Sequence, residues 1–363
     1  MMITLGLLSI RFDQEEEYFT ELAKRAASYN IQIVRFTPAS IDPATELVNG
    51  LRFQPAMQQW TQESFPIPSY VYDRCFYSTN NISKKARPIV EWLKKRPSTT
   101  FLGYGLPSKL QTYSILANDR IVASYLPQTE EAESAQKVYN KVLKERYLLL
   151  KPANGSQGNG IVRLTYERGE IEVTVQKQSD ITTKPFYKKG EFEEWLQTIL
   201  AGQSYMIQPF LSVQDFQWRP FDIRILLQKD KSGAWKETGR GVRIGPPHHL
   251  ISNLSVGSSI VPYEEWKANS RKRDIMLIED DITTIVKHVP LALENELQPL
   301  FEIGLDITID RNRAVWLLDI NSKPGRKVLL EADPACAETL FNAPLQYCKF
   351  LDDSLSKKGA DRP

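Results

Sequence analysis

The sequence predicts an α/β (α+β) protein of more than one domain. Three observations predict it: a β-α-β pattern at the start, a lysine-bearing strand running into a glycine-rich loop mid-chain, and a late apolar strand that closes on an acid and an amide before a Pro-Gly break. With 363 residues the chain is long enough to bury a full core in more than one unit.

The opening run Met1-Met2-Ile3-Thr4-Leu5-Gly6-Leu7-Leu8-Ser9-Ile10 is apolar. It has no basic leader or small-residue cleavage site and is too short to span a bilayer, so residues 3–10 read as a buried first strand. From Gln14 to Tyr29 the residues Tyr18, Phe19, Leu22 and Ala26 carry helical spacing, and Ile31-Gln32-Ile33-Val34-Arg35-Phe36 reads as a second strand. Such a start implies a small, Rossmann-like parallel sheet with a right-handed crossover. Phe65-Pro66-Ile67-Pro68 precedes another strand, Tyr70-Val71-Tyr72-Asp73, and the breaker cluster Gly103-Tyr104-Gly105-Leu106-Pro107 ends a first domain of residues 1–105.

A second domain of residues 106–351 follows. It begins with a helix from Ser108 to about Asn118, led by Lys109, Leu110 and Tyr113. Leu126-Pro127-Gln128-Thr129-Glu130 turns into another helix through Lys144. Residues 147–211 form a lid: two strands around the glycine loop, a hairpin turn at Arg168-Gly169, a helix over 191–200, and an exit strand Tyr205-Met206-Ile207-Gln208-Pro209-Phe210-Leu211. Beyond it strands alternate with helices, one of them over about 281–303 with a proline interruption near Pro299. The tail, residues 352–363, lacks apolar anchors and is expected to fray.

Lys+Arg of 46 against Asp+Glu of 44 leaves a formal charge of +2, so no global basic field points to nucleic acid. Arg271-Lys272-Arg273 meets acids directly after it and reads as a solvated helix face. Cys75, Cys336 and Cys348 are too few and scattered for a disulfide framework or a zinc cage, and His248-His249 after Pro246-Pro247 reads as a loop. A reducing compartment is the expectation, with no membrane span.

The chemistry lies in two distant runs. In Trp316-Leu317-Leu318-Asp319-Ile320-Asn321 the i, i+2 spacing puts Asp319 and Asn321 on one strand face, and Gly304-Leu305-Asp306-Ile307 offers another acid inside an apolar strand. An acid flanked by Leu and Ile is costly unless paired or coordinated, and three such oxygens suit Mg²⁺, with Mn²⁺ an alternative. Upstream, Leu150-Lys151-Pro152-Ala153-Asn154-Gly155-Ser156-Gln157-Gly158-Asn159-Gly160 delivers a lysine and a loop whose N–H groups can turn toward an anion. Together these read as a nucleoside-triphosphate site. No Walker A run exists, the kinase motifs are missing, and the loop reads G-x-x-G-x-G into a strand rather than G-x-G-x-x-G into a helix.

Strand, lysine, glycine loop, strand, and a late D…D-x-N-x-x-P-G resemble the ATP-grasp superfamily from roughly Lys109 onward. The runs Arg219-Pro220-Phe221-Asp222-Ile223-Arg224, Ile251-Ser252-Asn253-Leu254 and Leu318-Asp319-Ile320-Asn321-Ser322-Lys323-Pro324-Gly325-Arg326 are most similar to the spore-coat-associated YheC/YheD-type members. The resemblance implies an ATP-grasp fold with a pre-ATP-grasp N-terminal domain and a mobile lid. It implies an ATP- and Mg²⁺-dependent carboxylate–amine or carboxylate–thiol ligase working through an acyl phosphate, acting on small-molecule or peptide substrates, with spore-coat components as possible partners. A nucleotide-binding or structural protein without turnover and a kinase-like phosphotransferase stay open as alternatives.

Residue by residue, the resemblance places Lys109 and Lys151 on the nucleotide and Gly155, Ser156, Gln157, Gly158, Asn159 and Gly160 over the β- and γ-phosphates. Gln208, Phe210 and Leu211 fall on the adenine hinge, where Gln208-Pro209 departs from the acid many relatives carry. Asp222 faces the ribose side, while Arg224, Arg243 and Asn253 line the reaction centre. Asp306, Asp319 and Asn321 are the metal ligands, with Asp319 where glutamate is commoner. Ser322, Lys323 and Arg326 line the substrate loop, and Arg74 is a contribution from the first domain.

Overall fold

The computed structural model describes residues 2–78, 80–153, 160–177, 180–213, 215, 218–269 and 272–360, with side chains to residue 357. Its strands form three sheets.

The first contains β1 (Ile3–Leu8), β2 (Ile31–Phe36), β3 (Leu47–Gln54), β4 (Gln59–Pro66), β5 (Tyr70–Asp73) and β6 (Thr100–Phe101), in the order β4-β3-β2-β1-β5-β6. The inner strands are parallel, as the β-α-β start predicts, and the crossover helix is Glu16–Ala26. The antiparallel hairpin β3–β4 is not foreseen in the sequence: β4 is mostly exposed and offers little apolar alternation to read.

One hydrophobic core joins this sheet to the end of the chain. Leu5, Leu7, Phe19 and Leu22 pack with Leu340, Leu345 and Tyr347 of the helix Ala337–Ala360. That helix carries on past Asp352, and Asp352 accepts a hydrogen bond from Tyr70 Oη at 3.0 Å. The helix runs to Ala360, its preceding turns docked on the first sheet.

The second sheet contains β7 (Glu130–Glu131), β8 (Tyr147–Pro152), β9 (Ile161–Glu167), β10 (Glu170–Lys177), β11 (Asp180–Phe186) and β12 (Tyr205–Pro209), ordered β11-β10-β9-β8-β12-β7. Arg168 and Gly169 both have positive φ, 51° and 87°, which makes the predicted hairpin turn of the primed kind that matches strand twist. Helices Ala135–Glu145 and Lys189–Gly202 cover one face through Val138, Val142, Phe192 and Leu196.

The third sheet contains β13 (Phe221–Lys229), β14 (Trp235–Ile244), β15 (Ser259–Pro262), β16 (Glu302–Ile309) and β17 (Val315–Asn321), ordered β15-β14-β13-β16-β17 and antiparallel throughout. It is backed by the helix Lys272–Glu296. This corrects the expected helix over 281–303: the stripe Ile278, Ile282, Ile285, Val289 extends it backward, Pro290 is tolerated inside it, and Pro299 lies beyond its end.

A bulge in β17 decides where the chemistry points. Asp306 pairs with Asp319, but Ile307 pairs with Leu317, leaving Leu318 as an extra residue. Val315 and Leu317 before the bulge and Ile320 after it all enter the same core. Strict alternation would send Asp319 and Asn321 inward with Leu317; the bulge turns both to the opposite face. The Leu318 carbonyl accepts a hydrogen bond from Tyr113 Oη at 2.5 Å.

Candidate active site

Residues of β8 and β12 in the second sheet and of β13, β16 and β17 in the third line one cleft. Lys109, Lys151, Asp306 and Asp319 line it together with Met206, Phe210, Leu211 and Leu318. Its space, open side included, is about 1010 Å³. That mix of apolar walls with a few polar groups suits a small-molecule ligand.

The two lysines converge on one carboxylate. Lys109, in the first turn of the helix Lys109–Ala117, donates to Asp319 Oδ2 at 2.7 Å. The helix start is fixed by a capping box of Ser108 and Gln111. Burial pushes the Lys151 ammonium down to about 8, opposed by Asp319, helped by Lys109 and opposed again by Asp306. Burial works against the Asp319 carboxylate, yet Lys109, Lys151 and Arg224 outweigh it and keep its pKa below the ordinary value.

Asp222, Arg224, Arg243 and Asp306 form a buried ion network. Arg224 Nη2 donates to Asp306 Oδ2 at 3.2 Å, while Arg224 Nε approaches Oδ1 at 2.8 Å without the alignment of a hydrogen bond. Arg243 reaches Asp222 Oδ1 at 2.6 Å and Asp306 Oδ1 at 3.0 Å. Ser252 Oγ also donates to Asp222. The Asp222 carboxylate is thus already engaged on both oxygens, and burial raises its pKa against the pull of Arg243.

The hinge expected at Gln208, Phe210 and Leu211 does line the cleft. The buried Gln208 side chain is turned away to Thr129 Oγ1 at 2.8 Å, whereas half-buried Phe210 forms a wall with Arg163 over its ring. Asn253 lines the same cleft. Gly160 has φ of 77°, and Gly155, Ser156, Gln157, Gly158 and Asn159 lie outside the described residues.

Among the described residues no three His, Cys, Asp or Glu side chains cluster as a ready metal cage. The donor set nevertheless fits a hard divalent cation. Asp306 and Asp319 face each other across β16 and β17, the Asn321 amide lies 3.4 Å from Asp319, and Asp306 Oδ1 lacks an aligned hydrogen-bond donor.

Four features were not legible as functional from sequence: Ser252, Tyr113, Glu302 and Gly304. A Cβ on Gly304 would stand 2.7 Å from Pro324 and 2.8 Å from Arg224 Nη1, so only glycine lets β16 pass between them. Glu302 belongs to a buried cluster that ties the loop after β17 to the first sheet. Arg74 donates to Glu302 at 2.7 Å, to Glu15 at 2.6 Å and to the Pro324 carbonyl at 3.0 Å. Arg326 lies in the same cluster, 3.1 Å from Glu302, bonded to Tyr72 Oη, with its guanidinium 3.6 Å from the Tyr18 ring centroid. Lys323 pairs with Asp73 at 2.7 Å, and Ser322 Oγ accepts from Leu106 N at 3.1 Å.

These elements have counterparts in known proteins. The D-alanine–D-alanine ligase of Coxiella burnetii superposes with a TM-score of 0.53 at 12% identity, covering 99% of this chain and 98% of that one. In sequence, the chain is 39% identical over 358 residues to the endospore coat-associated protein YheC of Bacillus subtilis (strain 168), covering 99% of this chain and 98% of YheC. It is 26% identical over 307 residues to the endospore coat-associated protein YheD of that organism, covering 81% of this chain and 65% of YheD. The family model for YheC/D like ATP-grasp matches residues 98–351, the stretch that carries both clusters of the cleft. With a near full-length relative and that match, the chain belongs to the YheC/D-like ATP-grasp family.

Proposed function

We propose that the protein is an ATP- and Mg²⁺-dependent ligase that joins a carboxylate to an amine or thiol through an acyl phosphate. One observation carries the reading: Lys109 from a helix and Lys151 from the second sheet meet two carboxylates of the third sheet, Asp306 and Asp319, in one cleft. Family membership and a ligase of the same fold support it.

In this reading the cleft takes ATP, with Phe210, Leu211 and Leu318 against the base and Lys109 and Lys151 on the phosphates. Asp306, Asp319 and Asn321 would hold Mg²⁺, or Mn²⁺, which offsets phosphate charge when bound. Arg224, backed by Arg243 and Asp222, is placed to meet the transferring phosphoryl group with a planar fork. Asn253 lines the meeting point of nucleotide and substrate. Positioning and fixed positive charge, rather than a nucleophilic side chain, supply the rate. The units in this proposal are residues 1–105, an ATP-grasp domain from 106 to 351, and a lid of 147–211 that closes over the phosphates. The names of its relatives extend the proposal to association with the endospore coat.

A second reading has its own support. Lys109 covers Asp319, and Arg224 with Arg243 covers Asp306, which suits a nucleotide-binding coat protein without turnover. Isotope transfer separates the readings. With ¹⁸O in the substrate carboxylate, label in released phosphate supports the ligase. Phosphorylated product without amide formation supports a kinase-like phosphotransferase, and absence of ATP consumption with every carboxylate offered supports the inert binder.

A further inference from the structure

A second cleft adjoins the nucleotide cleft and shares Asn253, Asp306 and Asp319 with it. It lies between the first sheet and the loop after β17, and its space, open side included, is about 2230 Å³. The part comparable with ordinary cavities is about 950 Å³, the upper end of the range for ligand pockets. A single amino acid would leave most of this groove empty; an extended chain would not.

Its charge is unbalanced in a definite way. Each acid that lines it already has a cation: Asp73 has Lys323 at 2.7 Å, Glu91 has Lys94 at 3.0 Å, Asp306 has Arg224 and Arg243, and Asp319 has Lys109. Two lining cations, Arg87 and Lys327, have no acidic partner within ion-pair distance among the described residues. Arg87 is not a wandering surface chain. Its guanidinium sits 4.5 Å from the Tyr77 ring centroid, and Lys323 approaches the same ring at 5.3 Å. Lys327 follows Arg326 directly, at the end of the loop that Arg74 and Asp73 fix to the first sheet.

We propose that this groove binds an extended acidic peptide, one carboxylate of which reaches the shared Asp306–Asp319 corner while others along the chain meet Arg87 and Lys327. The inference rests on the ligase reading and adds the substrate class to it. A cationic acceptor is disfavoured in the groove because the acids there are already matched.

The test uses the full-length protein and a fluorescein-labelled deca-glutamate, with deca-lysine and free glutamate as controls. Binding is followed by anisotropy at 50 and 200 mM salt, with a parallel MgATP titration. Deca-glutamate is expected to bind at least tenfold tighter than free glutamate, to weaken several-fold at the higher salt, and to lose at least tenfold in the Arg87→Glu/Lys327→Glu double variant. Both side chains are exposed, so the variant's melting temperature and MgATP affinity should match the wild type. Deca-lysine binding as tightly as deca-glutamate, or an unchanged affinity in the double variant, overturns the proposal. Peptide binding without any MgATP binding removes the nucleotide reading and leaves the groove for acidic peptides standing.

Discussion

Lys109 Nζ lies 2.7 Å from Asp319 Oδ2, an ion pair between groups 210 positions apart in sequence. The lysine starts a helix that leads into the second sheet, and the aspartate ends a strand of the third. The proposed phosphate ligand and the proposed metal ligand therefore neutralise each other. A metal arriving without nucleotide has to displace an ammonium from Asp319, whereas a triphosphate draws the lysine away and frees the carboxylate.

That competition sets a first expectation. Lys109→Met should raise the affinity for Mn²⁺ in the absence of nucleotide by about tenfold, equivalent to about 1.4 kcal/mol, and should weaken MgATP binding. Electron paramagnetic resonance of free Mn²⁺ measures the first quantity and calorimetry the second. Unchanged Mn²⁺ affinity would mean that the ion pair does not gate the carboxylate.

Lys151 should make nucleotide binding depend on pH. Its folded pKa is about 8, below the ordinary value of 10.5, because burial outweighs the attraction of Asp319. A group whose charged form is disfavoured on folding costs stability while protonated, and that cost is relieved as pH rises from about 8 toward 10.5. Anionic phosphates favour the charged lysine, so binding at pH 8 to 9 should take up a proton. Above pH 8 the affinity should fall by up to tenfold per pH unit, a slope Lys151→Ala should lack. Calorimetry in two buffers of different ionisation enthalpy reads the proton directly; equal enthalpies in both would show that Lys151 stays charged in the free protein.

The sequence disclosed the family and the strands that carry the cleft, though not the β3–β4 hairpin, and it placed Asp319 with Asn321 on one face, as they stand, since the bulge at Leu318 comes before both. It did not disclose the bulge itself, because Leu317 and Leu318 are the same residue type and nothing in Trp-Leu-Leu-Asp marks which one is extra. The buried cluster was equally hidden. The resemblance names Arg74 and Arg326 but not Glu15 or Glu302, and the four become readable as one cluster only when the first sheet and the loop after β17 are side by side. Gln208, placed on the hinge by resemblance, lines the cleft, while its side-chain amide donates to Thr129, 79 positions away, a partner the sequence did not disclose.

Tyr113→Phe tests the bulge. The phenol is buried and its hydroxyl satisfies the carbonyl of the extra residue. Losing that donor should destabilise the protein by about 1–3 kcal/mol. Relaxation of the bulge should also loosen Asp319, so MgATP affinity should drop while the fold persists. Denaturant unfolding and calorimetry measure the two. A stability loss with unaltered MgATP affinity would mean that the strand keeps its register without help from Tyr113.

Arg74 links the first sheet to the loop after β17 through groups that are mostly buried. It is fully buried, as Glu302 nearly is, and bonds the Pro324 carbonyl in the loop that follows Asn321. Replacing it by Met leaves Glu15 and Glu302 sharing Arg326 alone, an uncompensated buried charge expected to cost about 3–5 kcal/mol. Because Arg74 and Glu302 act as one unit, the double variant Arg74→Met/Glu302→Met should lose less than the two single losses combined, by about 1–3 kcal/mol. The loop should pay a separate toll: with Pro324 released, turnover in Arg74→Met should fall more than MgATP affinity, since the phosphate lysines are untouched. Urea unfolding of the four proteins in the cycle, together with kcat and nucleotide affinity for each, decides the matter. Strict additivity would reduce the cluster to independent surface-like pairs, and a parallel loss of affinity and turnover would place the damage in the whole cleft rather than in the loop.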